Sequence, residues 1–443
     1  MSAPREHWSR GLGFTLAAVG SAVGLGNMWR FSYMASENGG AAFVFLYVLM
    51  TLLVGLPVML AEFTLGRGSG RSPVQALAHY GGRRWRPLGA LFVVTGFTIL
   101  AYYSVISGWA VRYAVEGVVS GFTADASARF GEVSEGWDAV GWHLGFMAVT
   151  TFVVSGGVRA GIERASIILM PALGLLIVGL AIYASTLDGA SAGYAYYFQT
   201  DFSEIMDLDV AKDAAGQAFF SLSLGMGTML TYASYLSREQ DLPEEAALIA
   251  VSDFGVALVA GLVIFPLLFA LGLQGEVIGG GTGTLGALFV VLPHAFATMG
   301  AAGVVVGGTF MVALAMAALT SAMSLLEVVV ASAVDGFGWS RPKAAWISGA
   351  AIALVGIPAA LDIGVLDLMD SVGGQFFLLA GGLGLSLFVG WVMEDPVGEI
   401  GETRGGGFGA WRFLLRWIVP SILVVMAYYS GQDSLAKLAA LLG

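Results

Sequence analysis

Long apolar runs separated by short polar segments fill most of the chain, and this pattern predicts an all-α polytopic membrane protein. A helix needs about 17 or more predominantly apolar residues to cross roughly 30 Å of hydrocarbon. Eleven stretches are of about this length, and the fourth is the shortest. They lie at residues 12–35, 41–65, 88–118, 140–154, 165–184, 214–236, 246–273, 301–334, 344–361, 368–393 and 413–429.

The composition agrees with this pattern. Of the 443 residues, 57% are hydrophobic and 12% are charged, and the mean hydropathy is +0.81. A chain of this kind has most of its mass in the bilayer, and no stretch has the composition of a soluble domain. We therefore predict a single transmembrane domain over residues 1–443.

Composition also argues against several other functions. The chain has no cysteine, which excludes disulfides, zinc-thiolate sites and thiol catalysis. Its net charge of −11 disfavours nucleic-acid binding, because phosphate contacts need a basic face. The four histidines are expected near span ends or in loops, so an intramembrane enzyme would lack a base at mid-depth. They are His7, His79, His143 and His294.

The loops predict the orientation, because lysine and arginine concentrate on the cytoplasmic side. With the N-terminus in the cytoplasm, fifteen of the 20 basic residues fall inside. They are Arg5, Arg10, Arg67, Arg71, Arg83, Arg84, Arg86, Arg159, Arg164, Arg238, Arg341, Lys343, Arg404, Arg412 and Arg416. An odd number of spans then places the C-terminus outside, and we expect the protein in the cell (inner) membrane.

The first apolar run contains an unusual segment, GSAVGLGNMWRF, at residues 20–31. Glycine costs roughly 1 kcal/mol against alanine inside a helix, so Gly24 and Gly26 favour an opening of the backbone at mid-depth. Unpaired backbone groups cost several kcal/mol each in hydrocarbon, so open backbone is tolerated there only where it lines a cavity or binds something.

A second interruption with the same glycine spacing follows two hundred residues later. The segment FFSLSLGMGTMLTYASY at residues 219–235 contains Gly225 and Gly227. Corresponding interruptions in two halves of a chain indicate a transporter site at the interface of the halves. Close helix packing through small residues is an alternative explanation. A channel also fits broken helices, and saturable, substrate-dependent sodium flux would distinguish a transporter from it.

These two segments, together with ENGG at residues 37–40 and ALTSAMS at residues 318–324, resemble the neurotransmitter:sodium symporter family. The resemblance implies a LeuT-type fold, a 5+5 inverted repeat with broken helices 1 and 6. The first repeat would cover residues 11–185, the second residues 213–394, and helix 11 residues 410–430. Many members have a twelfth span, which this eleven-span chain lacks, and any dimer contact through that span is therefore in doubt.

The resemblance also implies two Na⁺ sites. The first would consist of the carbonyls of Gly20, Val23 and Ala317 and the hydroxyls of Thr320 and Ser321. The second would consist of Ala22, Asn27, Ser221, Asp253 and the carboxylate of the substrate. Sodium prefers five or six hard oxygens, which freed carbonyls and hydroxyls supply. For a single Ser or Thr, a hydrogen bond back to the i−4 carbonyl is the alternative.

A substrate pocket follows from the same resemblance. The amides near Leu25 and Gly26 suit a carboxylate, and relatives that carry monoamines have aspartate where this chain has Gly24. Methionine at position 226 would tolerate several side-chain shapes. We therefore predict a hydrophobic L-amino acid as substrate, with another small zwitterion as the alternative. The pocket would be lined by Ala22, Leu25, Gly26, Ile99, Tyr103, Phe220, Ser223, Met226, Ser321 and Leu325.

Gates are expected on both sides of this pocket. Arg30 would pair with Asp370 outside, and Arg5 with Asp335 inside. Trp8, Ser234 and Tyr235 would lie beside the inner pair. Gly161 and Pro171 enclose nine residues, an arrangement that resembles the family's unwinding element but equally fits a plain proline kink.

The charge of Asp253 predicts independence from chloride. Relatives that use chloride have an asparagine at this position and a small polar residue one turn later, where this chain has Ala257. An aspartate within a span should face the interior and have a partner, although near a helix end it could instead extend to water. We predict a sodium-coupled secondary active symporter in the lipid bilayer that works by alternating access. The sequence does not predict an oligomeric state.

Overall fold

The computed structural model of the chain describes residues 6–9, 11–199, 204–277, 283–400 and 407–442. Within these ranges the fold is all-α, as predicted, and no β-strand forms. The helices are α1 Gly11–Ala22, α2 Gly26–Glu37, α3 Ala41–Ser69, α4 Pro73–Gly81, α5 Arg83–Val119, α6 Ala126–Ser134, α7 Trp137–Ser155, α8 Val158–Ser185, α9 Ala190–Phe198, α10 Leu208–Ser221, α11 Thr228–Ala233, α12 Leu242–Ala270, α13 Gln274–Val277, α14 Gly283–Thr298, α15 Ala301–Phe337, α16 Arg341–Leu361, α17 Ile363–Val392, α18 Pro396–Ile400 and α19 Phe408–Ala439.

Most of the predicted spans have a counterpart among these helices. Eight helices in the described part of the chain are long and apolar enough to cross a membrane, and α1 with α2 forms a ninth, bent span. The other two predicted spans correspond to α7, which has 19 residues, and to the interrupted pair α10 and α11. The total of eleven spans stays a prediction.

The first break lies between α1 and α2, whose axes differ by 54°. Residues 23–25 separate the two helices, as the glycines at positions 24 and 26 predicted. The ENGG segment then ends α2 at Glu37, and Gly39 and Gly40 have φ angles of 73° and 60°. These left-handed conformations, which glycine adopts readily, reverse the chain into α3.

The second break lies between Ser221, where α10 ends, and Thr228, where α11 begins. Ser223, Gly225 and Gly227 have positive φ angles of 53°, 78° and 74°. The two breaks touch each other, since Ser223 Oγ donates a hydrogen bond of 2.8 Å to the carbonyl of Ser21. The core of the protein is therefore built around two facing stretches of open backbone.

The packing around Gly225 predicts a large effect for its replacement by alanine. A Cβ there would lie 2.2 Å from the carbonyl oxygen of Leu378 in α17, and the left-handed backbone adds a strain of about 1–3 kcal/mol. We expect Gly225→Ala to lower the thermal unfolding midpoint in detergent. Gly255→Ala in α12 is the control, because its Cβ meets nothing within 4 Å and alanine is favoured in a helix. Equal midpoints for the two variants would contradict this description.

Candidate functional site

The hydroxyl of Ser321, on α15, lies among four carbonyl oxygens at the first break. Its Oγ is 3.4 Å from the carbonyl of Gly20 and 3.3 Å from those of Ser21, Val23 and Ala317. A hydroxyl has one proton and donates it to one oxygen at a time. Ser223 Oγ donates to the Ser21 carbonyl at 2.8 Å and Thr320 Oγ1 to the Ala317 carbonyl at 2.9 Å, so the carbonyls of Gly20 and Val23 are left to share the proton of Ser321. This shortage of donors suits a hard cation.

Thr320 lies beside this oxygen cluster, but its hydroxyl bonds within its own helix. Thr320 Oγ1 donates to the carbonyl of Ala317 at 2.9 Å, with that of Met316 at 3.3 Å. The back-bonding alternative is thus realised for Thr320, whereas Ser321 also reaches across to α1. Thr320 still packs against the first break, because a Cβ on Gly20 would lie 3.0 Å from the Thr320 Cβ.

Asp253, on α12, is buried and faces the first break and the end of α10. Asn27 Nδ2 donates to its Oδ1 at 2.6 Å, and Ser221 Oγ donates at 2.9 Å to Oδ2. The hydroxyl of Tyr47 donates to Oδ2 at 2.9 Å. In the described part of the chain no Lys or Arg lies within 4.0 Å of this carboxylate, so its charge lacks a cationic partner. A buried charge without a partner is costly, and a bound cation would supply one.

A small cavity of about 30 Å³ lies between the two breaks. Its walls include all ten residues predicted to line the substrate pocket, together with Ser21, Gly24 and Ser221. This volume holds a water molecule or two and no amino acid. An amino acid would fit here only if the walls moved apart.

Gly24 has no room for a side chain. A Cβ at this position would lie 2.7 Å from Ser321 Oγ and 3.1 Å from the hydroxyl of Tyr103. Tyr103 in turn accepts a hydrogen bond of 3.4 Å from the amide of Leu25. An aspartate at position 24 would therefore displace both groups, and among the cavity-lining residues described the pocket contains no acidic side chain.

A larger cavity of about 790 Å³ lies next to the small one, on the side away from Trp8. Leu25, Gly26, Tyr103 and Phe220 line both cavities. The aromatic rings of Tyr103 and Phe220 thus stand between the pocket and this opening. We call this the open side, and the side of Trp8 the N-terminal side.

Arg30 and Asp370 both line the larger cavity, but they form no ion pair in this conformation. Arg30 Nη1 donates instead to Gln217 Oε1 at 2.9 Å, and its guanidinium lies 5.2 Å from the centre of the Phe220 ring. Asp370 accepts from Gln375 Nε2 at 3.2 Å. The expectation of a direct pair is therefore not met here, because the cavity between the two side chains is open.

On the N-terminal side, Trp8 packs against the residues at the end of α11. The indole of Trp8 donates to the carbonyl of Tyr232 at 3.0 Å and packs edge-on against Tyr235, with ring centres 6.3 Å apart. Ser234 Oγ donates to the carbonyl of Thr231 at 2.6 Å. The three predicted neighbours of the inner gate are thus together.

The predicted pair of Arg5 and Asp335 is only half described. Arg5 lies outside the described residues, and Asp335 Oδ2 accepts from the amide of Ser72 at 2.7 Å. A second charged pair lies nearby, in which Arg341 Nη2 donates to Glu327 Oε2 at 2.5 Å. Glu327 also accepts from the hydroxyl of Tyr235 at 2.6 Å.

Sequence reasoning missed the side chain that fills the second break. Glu62 of α3 is fully buried, and its carboxylate accepts from the amides of Gly225 and Leu230, both at 2.9 Å. An acid within an apolar run is a signal that could have identified it. Tyr47 and Gln217 were also missed, since neither residue type is unusual in a membrane helix.

Two further expectations are clarified by the packing. His143 is buried in α7 rather than placed at a span end, and its ring nitrogens lie 2.9 Å from Ser104 Oγ and from the carbonyl of Ala353. Both nitrogens are thus occupied.

Helix α8 is helical through Gly161 and Pro171, so the predicted unwinding of this segment is not tested by this conformation.

Comparison with known proteins identifies the class to which this fold and site belong. Residues 5–126 and 126–433 match the Sodium:neurotransmitter symporter family, and the chain belongs to this family. It is 37% identical over 442 residues to an uncharacterized sodium-dependent transporter, YhdH, of Bacillus subtilis, covering 95% of this chain and 96% of the relative. It is 32% identical over 458 residues to an uncharacterized sodium-dependent transporter of Methanocaldococcus jannaschii, covering 98% and 92%.

A solved structure is similar over nearly the whole chain. The crystal structure of MhsT in complex with L-phenylalanine has a TM-score of 0.87 and 40% sequence identity, and the match covers 96% of this chain and 100% of that one. The LeuT-type fold is thereby confirmed. The protein is a multi-pass, sodium-dependent transporter and not an enzyme, as predicted.

The contacts of Glu62 predict that both of its oxygens are required. Glu62→Gln would replace one acceptor by an NH₂ group that faces a backbone N–H, and hydrogen bonds to a charged group are worth about 1.5–3 kcal/mol. We expect Glu62→Gln to lower the thermal unfolding midpoint and to slow sodium-dependent uptake of the transported substrate. Glu132→Gln is the control, because this acid is exposed in α6. Unchanged stability of Glu62→Gln would show that the second break does not depend on this carboxylate.

Proposed function

We propose that this chain is a sodium-coupled symporter of hydrophobic L-amino acids with two Na⁺ sites. The observation that carries the proposal is the excess of acceptor oxygens around Ser321 at the first break. The first sodium would be held by Gly20, Val23, Ala317, Thr320 and Ser321. The second would be held by Ala22, Asn27, Ser221, Asp253 and the substrate carboxylate.

The substrate class follows from the pocket and from a neighbour. Apolar and small side chains surround the small cavity, and the amide of Leu25 and hydroxyl of Tyr103 lie where a carboxylate would bind. MhsT, which is similar over 96% of this chain, has been crystallised in complex with L-phenylalanine. Met226 in the wall would let the pocket widen for aliphatic or aromatic side chains.

Two sodium ions would supply enough energy for concentrative uptake. Moving two charges through ~100 mV yields about 4.6 kcal/mol, which corresponds to more than a thousandfold accumulation at roughly 1.4 kcal/mol per factor of ten. The substrate carboxylate would complete the second site, so sodium and amino acid bind together. This shared ligand is the physical basis of the proposed coupling.

The cycle would alternate between openings on the two sides of the pocket. We place the N-terminal side in the cytoplasm and the C-terminus outside, in the cell (inner) membrane, and assign residues 11–185 and 213–394 to the two inverted repeats. The conformation described above is then open to the outside. Closure would bring Arg30 to Asp370, and release to the cytoplasm would separate Trp8 from Tyr232 and Arg5 from Asp335.

The first sodium site predicts the behaviour of a double variant. Thr320→Ala with Ser321→Ala removes two proposed ligands, and each lost contact of this kind costs about 1–3 kcal/mol, so sodium affinity should fall at least tenfold. The measurement is uptake of radiolabelled L-phenylalanine into proteoliposomes as a function of sodium concentration. Ser332→Ala on the same helix is the control, because its buried hydroxyl makes no hydrogen bond. Unchanged sodium dependence in the double variant would refute the assignment.

The carboxylate of Asp253 predicts that transport needs no chloride. Its negative charge would balance sodium at the second site, the role that an exchangeable chloride would otherwise have. Replacing chloride by gluconate should leave uptake unchanged, and Asp253→Asn should weaken sodium binding. Asp188→Asn, at an exposed position, is the control. A fall in wild-type uptake in gluconate would show that this account of Asp253 is wrong.

A further inference from the structure

Two arginines and two tryptophans form a surface patch where α17 ends and α19 begins. We call these four residues, Trp391, Arg412, Arg416 and Trp417, the Arg/Trp patch. The arginines are one helical turn apart on α19, and both are half-buried. The tryptophan side chains are 50% and 55% exposed, so the patch faces the surroundings of the protein.

The two arginines of the patch contact the end of α17. The last carbonyls of a helix lack intrahelical partners, and the carbonyl of Gly390 near the end of α17 accepts from Arg416 Nε at 2.6 Å. Arg412 Nε lies at 3.5 Å from the same oxygen. A guanidinium has five N–H donors, so these contacts occupy only one donor of each arginine.

The remaining donors have no acidic partner in the described residues. No carboxylate within those ranges lies within 4.0 Å of either guanidinium. The cation of Arg416 stacks over the ring of Trp391 at 5.1 Å, and Trp417 meets that ring edge-on, with centres 5.0 Å apart. The stacking holds the guanidinium in place, and its other N–H groups have no carboxylate partner among the described residues.

The surroundings of the patch are those of a membrane interface. Tryptophan is enriched where the hydrocarbon meets the headgroups. Along α19, Phe413, Val424 and Val425 are more than half exposed, so an apolar surface continues from the patch. The two guanidinium groups of the patch therefore lie next to an apolar surface that acyl chains can cover.

We propose that the Arg/Trp patch binds the headgroup of an anionic glycerophospholipid. The phosphate would accept from those N–H groups of Arg412 and Arg416 that do not contact Gly390, a pairing for which the planar guanidinium is well suited. The two tryptophans flank the headgroup, and the acyl chains lie along the exposed face of α19. The lipid would thereby join the end of α17 to α19. This proposal does not depend on which substrate is transported.

Competition between lipids tests the proposal. Purified full-length protein is mixed with phosphatidylglycerol and phosphatidylcholine of identical acyl chains, and the bound lipids are counted by native mass spectrometry. A basic residue near an anionic lipid contributes about 1 kcal/mol, so Arg412→Gln with Arg416→Gln should reduce the preference for phosphatidylglycerol roughly thirtyfold. The control is Arg83→Gln with Arg84→Gln, which removes equal charge from exposed positions without exposed tryptophans.

Each outcome decides the proposal. A loss of preference in the patch variant alone supports it. An equal loss in the control, or no preference in the wild type, overturns it. Displacement of phosphatidylglycerol by inorganic phosphate would also overturn it, because the site would then bind the anion and not the lipid. If the double variant does not fold, Arg412→Gln is tested alone, because the contact of Arg412 to Gly390 is long and its loss should not affect folding. Its preference for phosphatidylglycerol over phosphatidylcholine should fall about fivefold.

Discussion

Open backbone in a membrane must find partners, and this requirement organises the whole protein. Both breaks lie at the centre of the fold, where the freed backbone groups need partners from the protein or from a ligand. They are satisfied in opposite ways. At the second break, amides of Gly225 and Leu230 donate to Glu62, a partner supplied by the chain itself. At the first break, the carbonyl oxygens around Ser321 have too few hydrogen-bond donors to satisfy them all.

This difference gives the two breaks different tasks. A break whose donors are met by a fixed carboxylate is a stable structural element. A break with unmet acceptors can be completed by a cation that binds and dissociates, and Asp253 adds a buried carboxylate on the adjoining side of the same backbone. In the proposed mechanism, sodium binding and the geometry of the first break are linked, because the ion would replace hydrogen bonds that the chain does not provide.

The sequence predicted the two breaks and the residues around the small cavity. It did not predict the contacts that support them or which side of the transporter is open. The glycine spacing predicted both breaks, and the motifs around them predicted ten of the residues that line the small cavity. Glu62 and Tyr47 were missed, because their importance comes from a partner distant in sequence. The pair of Arg30 and Asp370 could not be judged from the sequence, since it depends on which side of the transporter is open. The number of spans also stays a prediction, because α7 has only 19 residues and the span formed by α10 and α11 is interrupted.

The contacts of Arg30 explain how a modest binding energy could close the transporter. In the open conformation its guanidinium bonds to Gln217 and lies over Phe220. Closure would exchange this neutral acceptor for the carboxylate of Asp370, so one hydrogen bond would be replaced by one ion pair. Exposed and half-exposed ion pairs are worth only about 0–1 kcal/mol, and the two conformations thus stay close in free energy. Ions and substrate that bind one of them better can then shift the population toward it.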